Sequence, residues 1–476
     1  MNATGIATFY KKMLAHLGFA PTALQDVVLQ QLAEFAVVPN DESCYMLAGY
    51  AGTGKTTLLG ALTRSLPSIS RKAVQLAPTG RAAKVIAGYS KRSASTIHRE
   101  IYTPKNTGGR VQFALRENKH TNSIFIVDEA SMIPDRNTDN RGVTTSLLDD
   151  LIEYVYSGQD CHLLLVGDTA QLPPVKLDLS PALDAQLLEV RYDLNVTRTQ
   201  LTEVVRQAQD SGILTNATVI REHIVQQEPQ IKFDLAGFSD VLRMLAGNEV
   251  LEAIEDSYST RGHAETTIIV RSNKRANLYN QQIRSRVLFR ESEISPGDLL
   301  MVVKNNYFWV KPNTQAGFIA NGDIIEVLEL YSINEVHDLR FASVRVQMVD
   351  YPDMRPFEVQ IVLDTLDSDL PALTYQQSDA LYKSVAQDYA HEGSKSKQYL
   401  AIKRDPFFNA LQVKFSYAIT CHKSQGGQWA RVFVEQPYLA EGPNTAYLRW
   451  LYTAVTRTTE RLYLLGFGKD YFNDDD

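Results

Sequence analysis

The run Gly49-Tyr50-Ala51-Gly52-Thr53-Gly54-Lys55-Thr56 has the residue types and spacing of a loop that wraps a phosphate chain. Its glycines let backbone N–H groups curl toward one point, and a helix beginning at its end adds a dipole that favours negative charge. Lys55 can reach the terminal phosphates, and the Thr56 hydroxyl, next to Thr57, can ligate Mg2+. Gly49, Gly52, Thr53, Gly54, Lys55, Thr56 and Thr57 are therefore candidate nucleotide ligands. A second apolar run, Ile124–Val127, ends on Asp128-Glu129. An acidic pair closing a buried strand is costly unless it meets a cation or a polar ligand. Asp128 suits a Mg2+ ligand and Glu129 a base that orients a water, although an Asp-Glu pair alone also suits a helix cap. Together the two motifs predict hydrolysis of ATP with Mg2+.

The elements that must hold these residues are legible as short apolar runs. Cys44–Ala48, Val74–Ala77, Ile124–Val127 and Leu163–Val166 each end at a polar or glycine-containing loop and alternate with helical stretches. That rhythm predicts a parallel sheet covered by helices over residues 1–195, with ligands at the carboxyl ends of its strands. Thr267–Val270, Phe415–Ile419, Val432–Val434 and Leu462–Leu465 predict a second α/β unit built from 196–290 and 406–476. Between them the turns Pro296-Gly297-Asp298, Asn321-Gly322-Asp323 and Tyr351-Pro352-Asp353 separate β-rich runs such as Leu299–Val303 and Ile324–Leu328. We read 291–405 as an inserted small β-barrel with a helical extension near Ser378–Tyr389. A hairpin is expected within 99–121, turning near Asn106-Thr107-Gly108-Gly109.

Composition sets wide bounds. The 476 residues carry 44% hydrophobic and 22% charged side chains, as soluble globular chains do. No apolar run is long enough to span a bilayer. The start Met1-Asn2-Ala3-Thr4 lacks the features of a signal peptide, so a cytoplasmic location and no membrane partner are expected. Cys44, Cys161 and Cys421 are scattered without metal-ligand spacing and read as packing. The net charge of −7 does not exclude a nucleic-acid partner, because binding follows the local field of a groove.

Further motifs, in order, make the chain resemble the superfamily-one helicases of the RecD, Dda and Pif type. Pro21-Thr22-Ala23-Leu24-Gln25 lies where that family places an adenine-reading glutamine; Gln25 alone would be a helix-surface residue. Leu76-Ala77-Pro78-Thr79-Gly80-Arg81 and Ser95-Thr96-Ile97-His98 look like its single-strand contacts on the first lobe. Leu164-Leu165-Val166-Gly167-Asp168-Thr169-Ala170-Gln171 is similar to its third motif, in which Gln171 senses the γ-phosphate. Thr202-Glu203-Val204-Val205-Arg206-Gln207 and Tyr452-Thr453-Ala454-Val455-Thr456-Arg457 resemble the motifs that supply two γ-phosphate arginines, Arg206 and Arg457. Tyr417-Ala418-Ile419-Thr420-Cys421-His422-Lys423-Ser424-Gln425-Gly426 matches its fifth motif.

The resemblance implies two RecA-like parallel-sheet lobes, an inserted SH3-like barrel and a β-hairpin pin for strand separation. It implies a nucleic-acid-stimulated ATPase that moves 5′ to 3′ on single-stranded DNA and acts on tailed duplexes. Pro78, Thr79, Thr96, His98, Thr420, His422 and Lys423 would contact the strand, and Gln425, Gly426 and Gln428 the nucleotide. Where the family commonly has glutamate, this chain has Gln428. Phe113 or Tyr102 would serve as the wedge, the alternative being an ordinary surface hairpin. The aromatic run Tyr307-Phe308-Trp309 is open to a clamp or a core role. A monomer is expected, since one chain supplies both lobes and both arginines, and RNA is left open as a track. Two other readings stand: a translocase that does not unwind, and an ATP-gated binding module, which would have no use for the strand contacts.

Overall fold

The computed structural model describes residues 3–38, 42–107, 110–134, 137–138, 144–174, 177–205, 210–245, 247–311 and 314–473, with side chains other than those of 104–113 and 135–145. Its two larger bodies are lobes, each built on a parallel sheet. In the first lobe the strand order is Asn195–Leu201, Ser43–Gly49, Gln159–Gly167, Thr121–Val127, Lys72–Ala77, Ala94–Thr96. Side chains alternate between faces, as a pleated strand requires. Cys44 and Met46 pack with Phe125 and Leu163 on one face; Tyr45 and Leu47 pack with Ile126 and Leu164 on the other. Helices Ala3–Leu17, Ala23–Val37 and Lys55–Ser65 cover the second of these faces. Both faces being buried explains why the central strands read as unbroken apolar runs.

The sheet of this lobe extends past the expected boundary at 195. Asn195–Leu201 pairs along the edge of Ser43–Gly49. Most of its residues are at least partly exposed, so it carries little of the apolar signal that marks its neighbours.

The second lobe has strand order Val241–Met244, Thr458–Leu465, Trp429–Glu435, Thr266–Val270, Ala418–Thr420, again parallel. Between its parts lies a closed barrel of Leu299–Val302, Ile324–Val336, Leu339–Met348, Phe357–Val362 and Leu411–Phe415. The expected strand Phe415–Ile419 is thus two elements. Leu411–Phe415 closes the barrel, beyond the expected limit at 405, and Ala418–Thr420 joins the second lobe. Helices Tyr375–Asp388 and Lys395–Arg404 extend the barrel, seating Leu381, Val385 and Ile402 on Phe341 and Val362. Two members of the aromatic run are engaged by the barrel itself: Tyr307 stacks on Phe318 at 4.9 Å, and Trp309 donates to the Asn409 carbonyl at 2.8 Å.

Asp298 ties the barrel to the second lobe. It is fully buried, accepts from Arg284 Nη2 at 3.0 Å and Arg290 Nη1 at 2.7 Å, and also accepts from the Tyr417 hydroxyl and the Ser295 N–H. A buried carboxylate is tolerated only when paired and hydrogen-bonded in this way.

In the first lobe, Tyr102–Thr107 and Arg110–Leu115 form an antiparallel hairpin. Its expected turn at Gly108-Gly109 and the Phe113 side chain lie outside the described residues. Among the described residues no helix is long and apolar enough to cross a membrane.

Candidate active site

The phosphate loop runs from the buried strand Ser43–Gly49 into the helix Lys55–Ser65. Gly54 begins that helix at φ 84°, a left-handed conformation, and a Cβ there would stand 2.6 Å from Gln25 Nε2. Glycine is therefore required twice over at this point. Gln25 is buried, not on a helix surface. Its side-chain oxygen accepts from the Thr22 N–H at 3.1 Å in a capping box, and its amide donates to the Thr53 carbonyl at 3.0 Å. Lys55 Nζ donates to the carbonyls of Gly49 at 2.7 Å and Tyr50 at 2.8 Å, so its ammonium lies in the mouth of the loop. Thr56 and Thr57 follow on the first turn of the helix, both partly exposed.

Asp128 and Glu129 close the strand Thr121–Val127 as expected, and Glu129 holds the N-cap position of the short turn Ala130–Met132. Glu129 sits at φ 54° without a side-chain cap bond. Burial, with Glu129 beside it, pushes the Asp128 carboxyl up to about 6, while Lys55 and Arg457 oppose the shift. Asp168 is also buried and raised, chiefly by burial, with Lys55 and the Tyr452 hydroxyl opposing. The cluster is short of positive charge, which suits a divalent cation at Asp128 with the Thr56 hydroxyl. Among the described residues no group of three or more His, Cys, Asp or Glu side chains could hold a metal. One carboxylate and one hydroxyl fit Mg2+, which keeps most of its shell for water and phosphate oxygens.

The second lobe enters this cluster directly. Arg457, 4% exposed, brings Nη1 to 3.6 Å from Glu129 Oε1 and is braced by the carbonyls of Thr453 and Gly427. Tyr452 spans the interface: its hydroxyl accepts from the Ala51 N–H in the phosphate loop at 2.9 Å and donates to Asp168 Oδ2 at 2.7 Å. Thr453 accepts from the Leu172 N–H, Arg449 donates to the carbonyls of Thr169 and Gln171, and Gln425 donates to the Leu172 carbonyl. Gln171 is buried with its side-chain oxygen unpartnered, in the loop these contacts grip. Gly426 lies so near the first lobe that a Cβ would meet Ala82 Cβ at 2.8 Å. Gln428 is exposed on its side chain, and its carbonyl accepts from Arg81, whose guanidinium lies 4.0 Å from the Trp429 ring. Arg206, the other expected arginine, lies outside the described residues.

The candidate strand contacts fall on both lobes. Thr79, which follows Pro78, and Thr96 are N-caps, accepting from the N–H groups of Ala82 and Arg99 at 3.2 Å each. His98 lies 5.5 Å from the Tyr102 ring, and burial lowers its imidazole below the ordinary range. Tyr102 donates to Asp150 at 2.5 Å, which fixes it at the hairpin base. Thr420 makes no cap bond, His422 is exposed, and Cys421 is buried against the Trp450 carbonyl. Lys423 lines a pocket with Asn273, Asn277 and Lys414. Burial, with Lys423 nearby, pushes the Lys414 ammonium down to about 8.

Sequence reasoning assigned no role to Tyr452, Thr453, Arg449 or Lys414. The signal for the first three was present: polar groups at successive turns of a helix, Thr445–Val455, that is otherwise apolar.

Two family models match in this order along the chain: an AAA domain over residues 28–231 and a UvrD-like helicase C-terminal domain over 415–465. The ATP-dependent DNA helicase Dda of Enterobacteria phage T4 is 24% identical over 431 residues, covering 86% of this chain and 91% of that protein. In the order of these domains and in its motifs the chain resembles the superfamily-one helicases of the RecD, Dda and Pif type. The chain is also 33% identical over 197 residues to the ATP-dependent RecD2 DNA helicase of Deinococcus radiodurans, covering 40% of this chain and 23% of that one. A solved Pif1 helicase from Bacteroides, in complex with ADP-AlF3 and single-stranded DNA, superimposes with a TM-score of 0.48 at 15% identity, covering 96% and 95% of the two chains.

Proposed function

We propose that this chain is a DNA helicase, an ATP-driven motor that moves 5′ to 3′ along single-stranded DNA and opens tailed duplexes. The observation that carries this is the meeting of Arg457 and Tyr452 with Glu129, Asp168 and the phosphate loop. A nucleotide held there touches both lobes, so its γ-phosphate governs how they close. Lys55 leaves its carbonyl partners for the phosphates, Glu129 orients the attacking water, and Arg457 and Arg206 meet the charge that develops. Gln25, Gln425, Gly426 and Gln428 border the nucleotide. Bound at Thr56 and Asp128, Mg2+ would neutralise phosphate charge. Thr79, Thr96 and His98 on one lobe and Thr420, His422 and Lys423 on the other grip the strand in alternation, a population shift driven by the nucleotide. The first lobe comprises residues 1 to about 201 and the barrel about 299–415. Travel from 5′ to 3′ is taken from the family.

Steady-state ATP hydrolysis with and without single-stranded DNA tests the reading. Strong stimulation, abolished by Lys55→Ala, is the expected result, and 5′-tailed duplexes should then be unwound in preference to 3′-tailed ones. Hydrolysis indifferent to DNA would leave an ATP-gated module as the better account. Stimulation without unwinding would leave a translocase.

Tyr452 supplies a second test. Tyr452→Phe keeps the ring in its packed site but deletes the hydroxyl that joins Ala51 to Asp168. A hydrogen bond to a charged group is worth about 1.5–3 kcal/mol. DNA-stimulated kcat should therefore fall about 10- to 100-fold, with little change in the melting temperature. A loss below twofold would mean the bridge takes no part in coupling.

A further inference from the structure

The barrel rests on the first lobe through oxygen atoms. Asp323, 2% exposed, lies against Gly80, the first residue of helix Gly80–Ser90. A Cβ at Gly80 would stand 2.5 Å from Asp323 Oδ1, and that oxygen has no hydrogen-bond partner. The other oxygen accepts from the Ala320 N–H at 2.7 Å. Nearby, Arg99 donates to the carbonyls of Gln315 at 2.7 Å and Thr314 at 3.4 Å in a barrel loop. Lys84 pairs with Asp350 at 3.3 Å, and Asp350 Oδ2 is likewise buried without a partner.

A helix N-terminus, an arginine and a lysine are the donors that nucleic-acid phosphates seek. Here the arginine and the lysine meet oxygens of the barrel, and Asp323 Oδ1 packs against Gly80 at the helix N-terminus. They border the strand candidates Thr79 and Thr96, and the cleft between the bodies is lined by Thr96 and Arg99 on one side and Phe318, Asp323 and Tyr351 on the other. Stability does not explain the arrangement, because a buried acceptor left unpartnered is unfavourable.

We propose that this face of the barrel imitates a phosphate backbone: the first turn of helix Gly80–Ser90, Arg99 and Lys84 form a phosphate-binding surface for the single strand, and the barrel's oxygens compete with the strand for it. The inference rests on the single-strand reading above. A docked barrel and a bound strand then exclude one another on this surface, and the apparent affinity for the strand is reduced by the fraction of molecules whose barrel is docked. Burial, with Asp350 nearby, pushes the Asp323 carboxyl up to about 7; assayed above pH 8, where it is charged, Asp323→Asn keeps an acceptor for Ala320, removes the charge and relaxes the competition without dismantling the turn.

The test is fluorescence anisotropy of a labelled oligothymidylate with the full chain, over a range of salt concentrations. Asp323→Asn should bind about 2- to 5-fold more tightly than the parent, the size of one charge at a helix N-terminus. Asp350→Asn should shift binding the same way from the Lys84 side. Arg99→Ala should make the dependence of log affinity on log salt shallower by about 0.7, the loss of one single-strand phosphate contact. Binding by Asp323→Asn and Asp350→Asn that is unchanged or weaker, or a salt slope unmoved in Arg99→Ala, overturns the inference while leaving the motor reading intact. No binding by the parent or any variant overturns both.

Discussion

Arg457→Ala is expected to lower DNA-stimulated kcat by about 10³–10⁵, the contribution of an arginine that meets transferring phosphate in comparable NTPases. The side chain is placed for that task before any substrate is considered. It is buried, its Nε is held by the Thr453 carbonyl, and Nη1 reaches across the lobes toward Glu129. On the proposed reading the charge would be fixed where negative charge builds up, so little reorganisation would be needed during the reaction. Arg457→Lys should not rescue, because an ammonium cannot hold the carbonyls and reach forward in one plane. KM for ATP should move far less than kcat, since the contact matters most in the transition state. A fall in kcat below tenfold, in a variant with a parental melting curve, would remove Arg457 from the chemistry.

The second large effect concerns stability. Asp298→Ala strands Arg284 and Arg290 in a site that is almost closed to water, and Arg284 already lies 4.4 Å from the Phe415 ring. Removing one partner of a buried ion pair costs about 3–5 kcal/mol. Denaturant unfolding should show the barrel and second lobe losing stability together, with the first lobe less affected. Because several domains unfold, the transition should be followed by more than one probe. A shift below about 1 kcal/mol would mean that water or a neighbouring carboxylate compensates the arginines.

What was legible in the residues, and what was not, follows the range of the interactions. The phosphate loop and Asp128-Glu129 each form from neighbours in sequence, and their strands are buried on both faces, so local pattern located them. Gln25 was placed at the nucleotide by resemblance; that its amide lies against Thr53 depends on how two helices pack. The run Phe415–Ile419 reads as one strand because apolar residues lie on both sides of the junction. Nothing local marks the hand-over at Ser416-Tyr417 from barrel to lobe. Tyr452 was the clearest omission: its partners Ala51 and Asp168 lie on the other lobe, and only the docking of the two bodies brings them within reach. The strand candidates Thr79 and Thr96 show the converse limit. Both are N-caps, a role their residue type would satisfy with or without a nucleic acid.

That hand-over has a mechanical meaning. The barrel leaves the second lobe a few residues before Leu299 and rejoins it between Phe415 and Ala418, with Asp298 clamped at the first junction. Two adjacent chain connections and the ion pairs of Asp298 with Arg284 and Arg290 hold the barrel on its support. On the proposed motor reading it would work as an outrigger: a turn of the second lobe about the nucleotide would be carried outward along the barrel to where Asp323 and Asp350 meet the first lobe. One hydrolysis event would thus be felt both at the nucleotide and at the rim of the track.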